Sequence, residues 1–308
     1  MREIEVNSEK TTAIARELQT HFLRFAMDGN RPACACPLPS RGALAEIAEQ
    51  LRSALFPAHF GESGENGALT GFHLQATLDF VSRGLEEQVR RALCFDCAAP
   101  EEIPGCGLRA DMLTRQFMQR LPEVQKMLTG DVHAAYEGDP ACTTPNEAVL
   151  AYPGVYALTF HRVAHELHKL GIPLLPRMIA EIAHGATGID IHPGAQIGSR
   201  FFIDHGTGVV IGETCIIGDY VRLYQGVTLG AKSFPVDENG RPLKGIPRHP
   251  IVEDAVIIYS GATILGRVTI GRGSVIGGNV WLTRSVPPGS RVTQGSAQYD
   301  VFHFGSGI

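Results

Sequence analysis

The chain has 308 residues, 44% of them apolar, and a formal net charge of −5. This is enough apolar residue for a core in one large or two medium domains, and too little positive charge to draw a phosphate backbone or an anionic membrane. Nucleic acid and membrane are set aside as partners, and the acidic residues 1–6, with no apolar stretch behind them and no bilayer-length apolar run elsewhere, point to a cytoplasmic protein.

Up to residue 187 the pattern is helical. Asn7 and Ser8 read as a helix start for 7–27, with Ile14, Leu18, Phe22 and Phe25 on one face. Further helices are expected over 40–56, 69–95 and 108–128, with turn chemistry at 31–39 and 62–67 between them. Over 153–170, Tyr156, Phe160, Val163, Leu167 and Leu170 form one stripe, which reads as core or an oligomer seam. Seven scattered cysteines (Cys34, Cys36, Cys94, Cys97, Cys106, Cys142, Cys215) fit reduced thiols. Cys94-Phe-Asp-Cys97 followed by Cys106 lacks a fourth ligand at zinc-type spacing, so no metal is expected.

After Gly188 the period becomes six. Aliphatic residues fall at Ile191, Ile197, Ile203 and Val209, then after a two-residue shift at Ile211, Ile217, Leu223 and Leu229. A third run holds Val252, Ile258, Ile264, Ile270, Ile276 and Leu282, with small or β-branched residues four places after most of these positions. Each six-residue unit supplies a short strand and a corner, and one aliphatic side chain per face fills a triangular prism. Residues 231–247, rich in turn formers and charge, read as a loop thrown out of the coil. The expected fold is α+β: a helical domain 1–187, a parallel β-helix over 188–292 and a tail over 293–308.

Three polar clusters break the apolar register: Asp190-Ile-His192-Pro-Gly, Asp204-His205-Gly-Thr-Gly-Val-Val-Ile-Gly-Glu213-Thr, and Arg248-His249-Pro. Asp190 and His205 are 15 residues apart, and a coil of three six-residue units takes about 18, so the two are expected on nearly adjacent stacked positions. A carboxylate beside an imidazole fixes its tautomer and raises its basicity, as a general base requires. Cys215, at a repeat corner or wall position with no histidine in reach of the pattern, reads as a small packed residue and not as a nucleophile.

These segments, with Gly-Val-Thr-Leu-Gly230 between them, resemble the serine acetyltransferase family over about residues 130–288. The resemblance implies a left-handed β-helix, acetyl-CoA as co-substrate and L-serine as acceptor, with direct transfer and no acyl-enzyme. It implies His205 as general base and Asp190 as its orienting partner. Asp204 and Asp139 would hold the serine ammonium and Arg248 its carboxylate, with Glu213 also at the substrate site; His249 would lie across from His205, supplied by a neighbouring subunit. Opposite charges for each end of a zwitterion make chemical sense of that set.

The coenzyme channel is implied at Gly230, Ala231, Tyr259 and Ser260, where the sequence departs from the family: Gly230-Ala231-Lys232 opens a longer loop, and Tyr259-Ser260 replaces small residues. The helical region is also longer than in the commonest members. The resemblance further implies a homotrimer or dimer of trimers, L-cysteine as feedback inhibitor, and capture of the C-terminal Ile308 by O-acetylserine sulfhydrylase. Other readings remain open: an acyltransferase for a different hydroxyl, a metal-dependent hydratase using His192, His205 and His249, or a non-catalytic scaffold.

Overall fold

The computed structural model describes residues 2–25, 37–60, 71–97 and 103–295. The turn expected over 62–67 and the segment ending in Ile308 lie outside the described residues.

The chain opens with α1 (Arg2–Phe25), whose Ile14, Leu18 and Phe22 are exposed. α2 (Arg41–Leu55) starts where Ser40 Oγ accepts from the Ala43 N–H at 3.3 Å, satisfying a donor that the first turn leaves without a partner. α3 (Pro57–Phe60) and α4 (Gly71–Asp96) follow. The single helix expected over 108–128 is two, α5 (Ile103–Met118) and α6 (Leu121–Gly138). Pro122 causes the break, since proline has no N–H for the ladder but suits a first turn.

α7 (Pro145–Ala151) is capped by Thr144, and Glu147 returns the contact by accepting from the N–H and hydroxyl of Thr143 at 2.8 and 2.7 Å. α8 (Pro153–Lys169) buries Phe160, Val163 and Leu167, so the expected stripe is core. α9 (Leu175–Thr187) ends at Gly188, whose φ of 70° is left-handed and suits glycine.

Fourteen short strands among the described residues then stack into three parallel sheets. Sheet A holds β1 (Asp190–Ile191), β4 (Val210–Ile211), β7 (Thr228–Gly230), β10 (Thr263–Leu265) and β13 (Trp281–Leu282). Sheet B holds β2 (Gln196–Ile197), β5 (Ile216–Ile217), β8 (Ile251–Val252) and β11 (Thr269–Ile270). Sheet C holds β3 (Phe202–Ile203), β6 (Arg222–Leu223), β9 (Ile257–Ile258), β12 (Val275–Ile276) and β14 (Arg291–Val292). The second residue of each strand is aliphatic and turns inward; burying one such side chain stabilises by roughly 1.5–3 kcal/mol.

The first coil is longer than a period of six allows. Asp190 pairs with Val210 and Val210 with Thr228, so the first coil takes 20 residues and the second 18. Val209 is therefore no inward strand position but the buried corner residue before β4, in column with Val227 and Ala262. The two extra residues widen the turn at 204–208, where His205, Gly206 and Gly208 have φ of 54°, 83° and 79°. A Cβ on Gly206 would lie 2.4 Å from Ile189 Cδ1, so any other residue there would be strained at this φ and would have to displace Ile189.

A buried ion pair joins the helices to the first coil. Arg162 of α8 donates to both oxygens of Asp131 of α6 at 2.5 and 2.8 Å and to the Gly198 carbonyl at 2.8 Å, while Phe201 N–H donates to Asp131. The fork matches the carboxylate, and the remaining hydrogen bonds offset the desolvation of both charges. The 231–247 loop leaves between β7 and β8 and is folded by Asp237, whose Oδ1 accepts from the N–H groups of Asn239 and Arg241. No helix among the described residues is long and apolar enough to cross a membrane.

Candidate active site

The sequence-predicted residues gather at two corners of the prism. One corner lies between sheets C and A. Two glycines bring helices down onto it: a Cβ on Gly154 would lie 2.2 Å from the Ile203 carbonyl oxygen, and one on Gly138 would lie 2.7 Å from an Arg222 guanidinium nitrogen. Asp139, next to Gly138, and Tyr152, two residues before Gly154, therefore hang beside the Asp204-His205 turn that follows β3.

Tyr152 donates its hydroxyl to Asp139 Oδ2 at 2.5 Å, and the Ala141 N–H donates to Oδ1 at 2.8 Å. These bonds, helped by the nearby charges of His205 and Arg222, hold the Asp139 carboxyl below its ordinary value. Burial, followed by the bond to Asp139, pushes the Tyr152 phenol up, so it stays protonated and donating. The His205 ring is 70% exposed, with Nδ1 3.7 Å from Asp204 Oδ1.

The carboxylate paired with His205 is thus that of Asp204. Asp190 stacks on Val210 on the outer face of sheet A, and among the described residues no hydrogen bond or ion pair joins it to His205. Asp190 nevertheless borders the 204–208 turn: a Cβ on Gly206 would lie 2.4 Å from Ile189 Cδ1, and the Gly208 N–H donates to the Gly188 carbonyl.

The second corner lies between sheets A and B and carries His192, Glu213, Thr214, Arg248 and His249. Thr214 organises it. Its hydroxyl accepts from the N–H groups of Arg248 and His249 at 2.9 and 3.1 Å, and its own N–H donates to His249 Nδ1 at 3.0 Å. A backbone N–H can only donate, so Nδ1 is the acceptor and the neutral ring carries its proton on Nε2. The ring lies against Gly212, where a Cβ would approach its Cδ2 to 2.0 Å.

Burial, then the charge of Arg248, pushes His249 down to about 4. Burial and Arg177 do the same to His192, whose Nδ1 accepts from the Gly194 N–H. Arg248 donates to Glu213 Oε2 at 2.6 Å. Burial alone would raise the Glu213 carboxyl, but the guanidinium leaves it below the ordinary value. Arg248, expected to hold a substrate carboxylate, is thus paired with the chain's own carboxylate.

The residues expected along the coenzyme channel divide between the same corners. Gly230 ends β7, where a Cβ would lie 2.9 Å from Leu265 Cδ2, and Ala231 follows it at the A–B corner. Tyr259 and Ser260 follow β9 at the C–A corner, one coil past Tyr224, on which the Tyr259 ring stacks at 5.1 Å and 9°. Cys215 is buried in the wall and pushed up to about 12 by desolvation, which leaves it inert. His192 and His249 lie at one corner and His205 at the other; among the described residues no three His, Cys, Asp or Glu side chains form a metal-binding group.

Sequence reasoning missed Tyr152, Thr214 and Arg222. Tyr152 stands in the Ala-Tyr-Pro that opens α8, a helix-start signal with no side-chain role attached, and Thr214 stood unremarked beside Glu213.

A family model described as bacterial transferase hexapeptide (six repeats) matches residues 249–284. The chain is 56% identical over 276 residues to a plasmid serine acetyltransferase of Synechococcus elongatus, covering 88% of this chain and 86% of that one. Among solved structures it is similar to serine acetyltransferase 1 of Entamoeba histolytica in complex with L-cysteine, at a TM-score of 0.71 and 34% identity over 92% of this chain and 97% of that one. It is also similar to a Brucella abortus serine acetyltransferase in complex with coenzyme A, at a TM-score of 0.53 and 28% identity over 82% of this chain and 94% of that one.

Proposed function

Because the chain belongs to the serine acetyltransferase family, we propose that its two polar corners are halves of one acetyl-transfer site, completed between neighbouring subunits. The protein is an acyltransferase with a left-handed parallel β-helix, moving acetyl from acetyl-CoA to the hydroxyl of L-serine to give O-acetyl-L-serine and CoA on the way to cysteine.

The observation that carries the shared site is the placement of the corners. They stand at opposite ends of the sheet A strands, and among the described residues no hydrogen bond or ion pair joins them. A cyclic trimer is heterologous, so the A–B corner of one subunit meets the C–A corner of the next. One subunit supplies Asp139, Asp204 and His205; the next supplies Glu213, Arg248 and His249.

In that site Asp139 and Asp204 receive the serine ammonium. Arg248 receives the carboxylate and partly leaves Glu213 to do so. His205 takes the hydroxyl proton as the serine oxygen attacks the thioester carbonyl, and the CoA thiolate leaves with the proton supplied from the imidazolium. His249, with its proton on Nε2, donates toward the oxygen on which charge develops. Asp190 faces the groove from the outer face of sheet A and acts on His205 once substrate and the neighbour close around it. Gly230, Ala231, Tyr259 and Ser260 border the coenzyme path, with the Tyr224–Tyr259 stack as one wall.

The same reading covers the rest of the protein. The boundary near 188 separates a helical domain that joins two trimers from the catalytic β-helix. L-cysteine, with the ammonium and carboxylate of serine, competes at the substrate half as feedback inhibitor. Ile308 offers its terminal carboxylate to O-acetylserine sulfhydrylase, and the protein works in the cytoplasm. L-serine-dependent release of CoA, followed by thiol detection, tests the reaction; turnover with another hydroxyl or with CO2 but none with L-serine would overturn it.

A further inference from the structure

The junction of α4 and α5 holds a pair of sulfur atoms that the acetyl-transfer reaction does not use. Cys97 is the residue after the end of α4, and Cys106 is the fourth residue of α5. Their Sγ atoms are 3.2 Å apart, in hydrogen-bond contact. Cys97 is half-buried and Cys106 is 5% exposed. Contact at this distance means that the two side chains already point at one another. Side-chain rotation then has only about 1.2 Å to close to reach the roughly 2.05 Å of a disulfide bond.

We propose that Cys97 and Cys106 are a reversible dithiol modification site that reacts with low-molecular-weight disulfides and closes to an intramolecular disulfide. The difference in exposure sets the order of events. The thiolate of Cys97, the more accessible of the two, attacks one sulfur of the external disulfide; that S–S bond breaks, and the first external thiolate leaves and takes up the proton Cys97 lost. Cys106 then gives up its proton and attacks Sγ of Cys97, and the second external thiolate leaves with that proton. Two protein thiols and one external disulfide become one protein disulfide and two external thiols, so electrons and protons balance.

The bond closes a short ring between α4 and α5, which pack side by side, and so fastens the helical domain without touching either polar corner. Buried Cys106 is reached through Cys97 and not from solvent, which separates this pair from an ordinary exposed thiol. The inference rests on sulfur geometry alone and stands apart from the choice of acetyl acceptor.

The test uses the full chain, reduced and then freed of reductant, incubated with glutathione disulfide, alkylated, digested and mapped by mass spectrometry. The expected result is a linked peptide pair through Cys97 and Cys106, an intact mass lighter by two hydrogens at that site, and reversal by dithiothreitol. Cys106→Ser is expected to stop at a glutathione adduct on Cys97, and Cys97→Ser to leave Cys106 alkylatable only after unfolding. Full alkylation of both residues after incubation, a glutathione adduct that persists on Cys97 of the unaltered chain, or a link from Cys97 to Cys94 would each overturn the proposal.

Discussion

The Tyr152 hydroxyl donates to Asp139 Oδ2 at 2.5 Å, joining the residue that opens α8 to the residue that closes α6 above the Asp204-His205 turn. In the proposed site Asp139 receives the serine ammonium, and this bond, with that from the Ala141 N–H, helps hold its charge and its aim. Tyr152→Phe is expected to raise KM for L-serine about tenfold with a smaller loss in kcat, the scale of one charge-assisted hydrogen bond. Steady-state kinetics at varied serine checks this; an unchanged KM would remove Tyr152 from the substrate half.

The His205 side chain is largely exposed, so replacing it removes little packing. His205→Ala is expected to lower kcat by roughly 10²–10⁴, the range for losing a general base, with the melting temperature unchanged. Calorimetry and CoA-release kinetics on the same preparation separate the two effects.

A methyl group at Gly154 would meet the Ile203 carbonyl oxygen of β3 at 2.2 Å. The obstacle is backbone and cannot rotate away. Gly154→Ala is expected to destabilise by roughly 2–4 kcal/mol and to displace Tyr152 as α8 lifts. Denaturant unfolding, together with KM for serine, reports both.

His249 and His192 are each held at about 4 against an ordinary 6.5. Between those values the unfolded chain binds more protons than the folded one, so stability rises with pH across this window. The contribution is whole above 6.5 and is lost as the pH falls toward 4. The expected loss is on the order of 2 kcal/mol for the pair after allowing for solvent access. Denaturant midpoints across this range check it; His249→Asn should flatten the slope, and an unchanged slope would contradict the assignment.

The β-helix was legible because its core is periodic: one aliphatic residue per short strand leaves a trace of six that needs no tertiary information. The two-residue shift before Ile211 already carried the extra length of the first coil, but the period did not show which residues take it up. Val209 is aliphatic and buried like its neighbours, and only the strand register shows it before a corner, with the excess residues taken up by His205, Gly206 and Gly208. The motif set Asp190 beside His205; the fold leaves Asp190 bordering that turn, with the Asp204 carboxylate 3.7 Å from the ring. The Pro122 break was missed because the apolar spacing continues across it. Asp139, Asp204, Arg248 and His249 were proposed from motif, while Tyr152 and Thr214 were not, since their contacts arise only where helices and loops meet in the fold. The last residues to Ile308 lie outside the described structure.

The most direct test of a site shared between subunits is complementation. His205→Ala disables the C–A corner, and an Arg248→Ala, His249→Ala double variant disables the A–B corner; each homogeneous oligomer should be nearly inactive. Co-expressed or dissociated and reassembled together, they should regain a substantial fraction of L-serine-dependent CoA release, because some interfaces then pair two intact corners. Mixed oligomers that form, as shown by a second tag, yet stay as inactive as either parent would contradict the account.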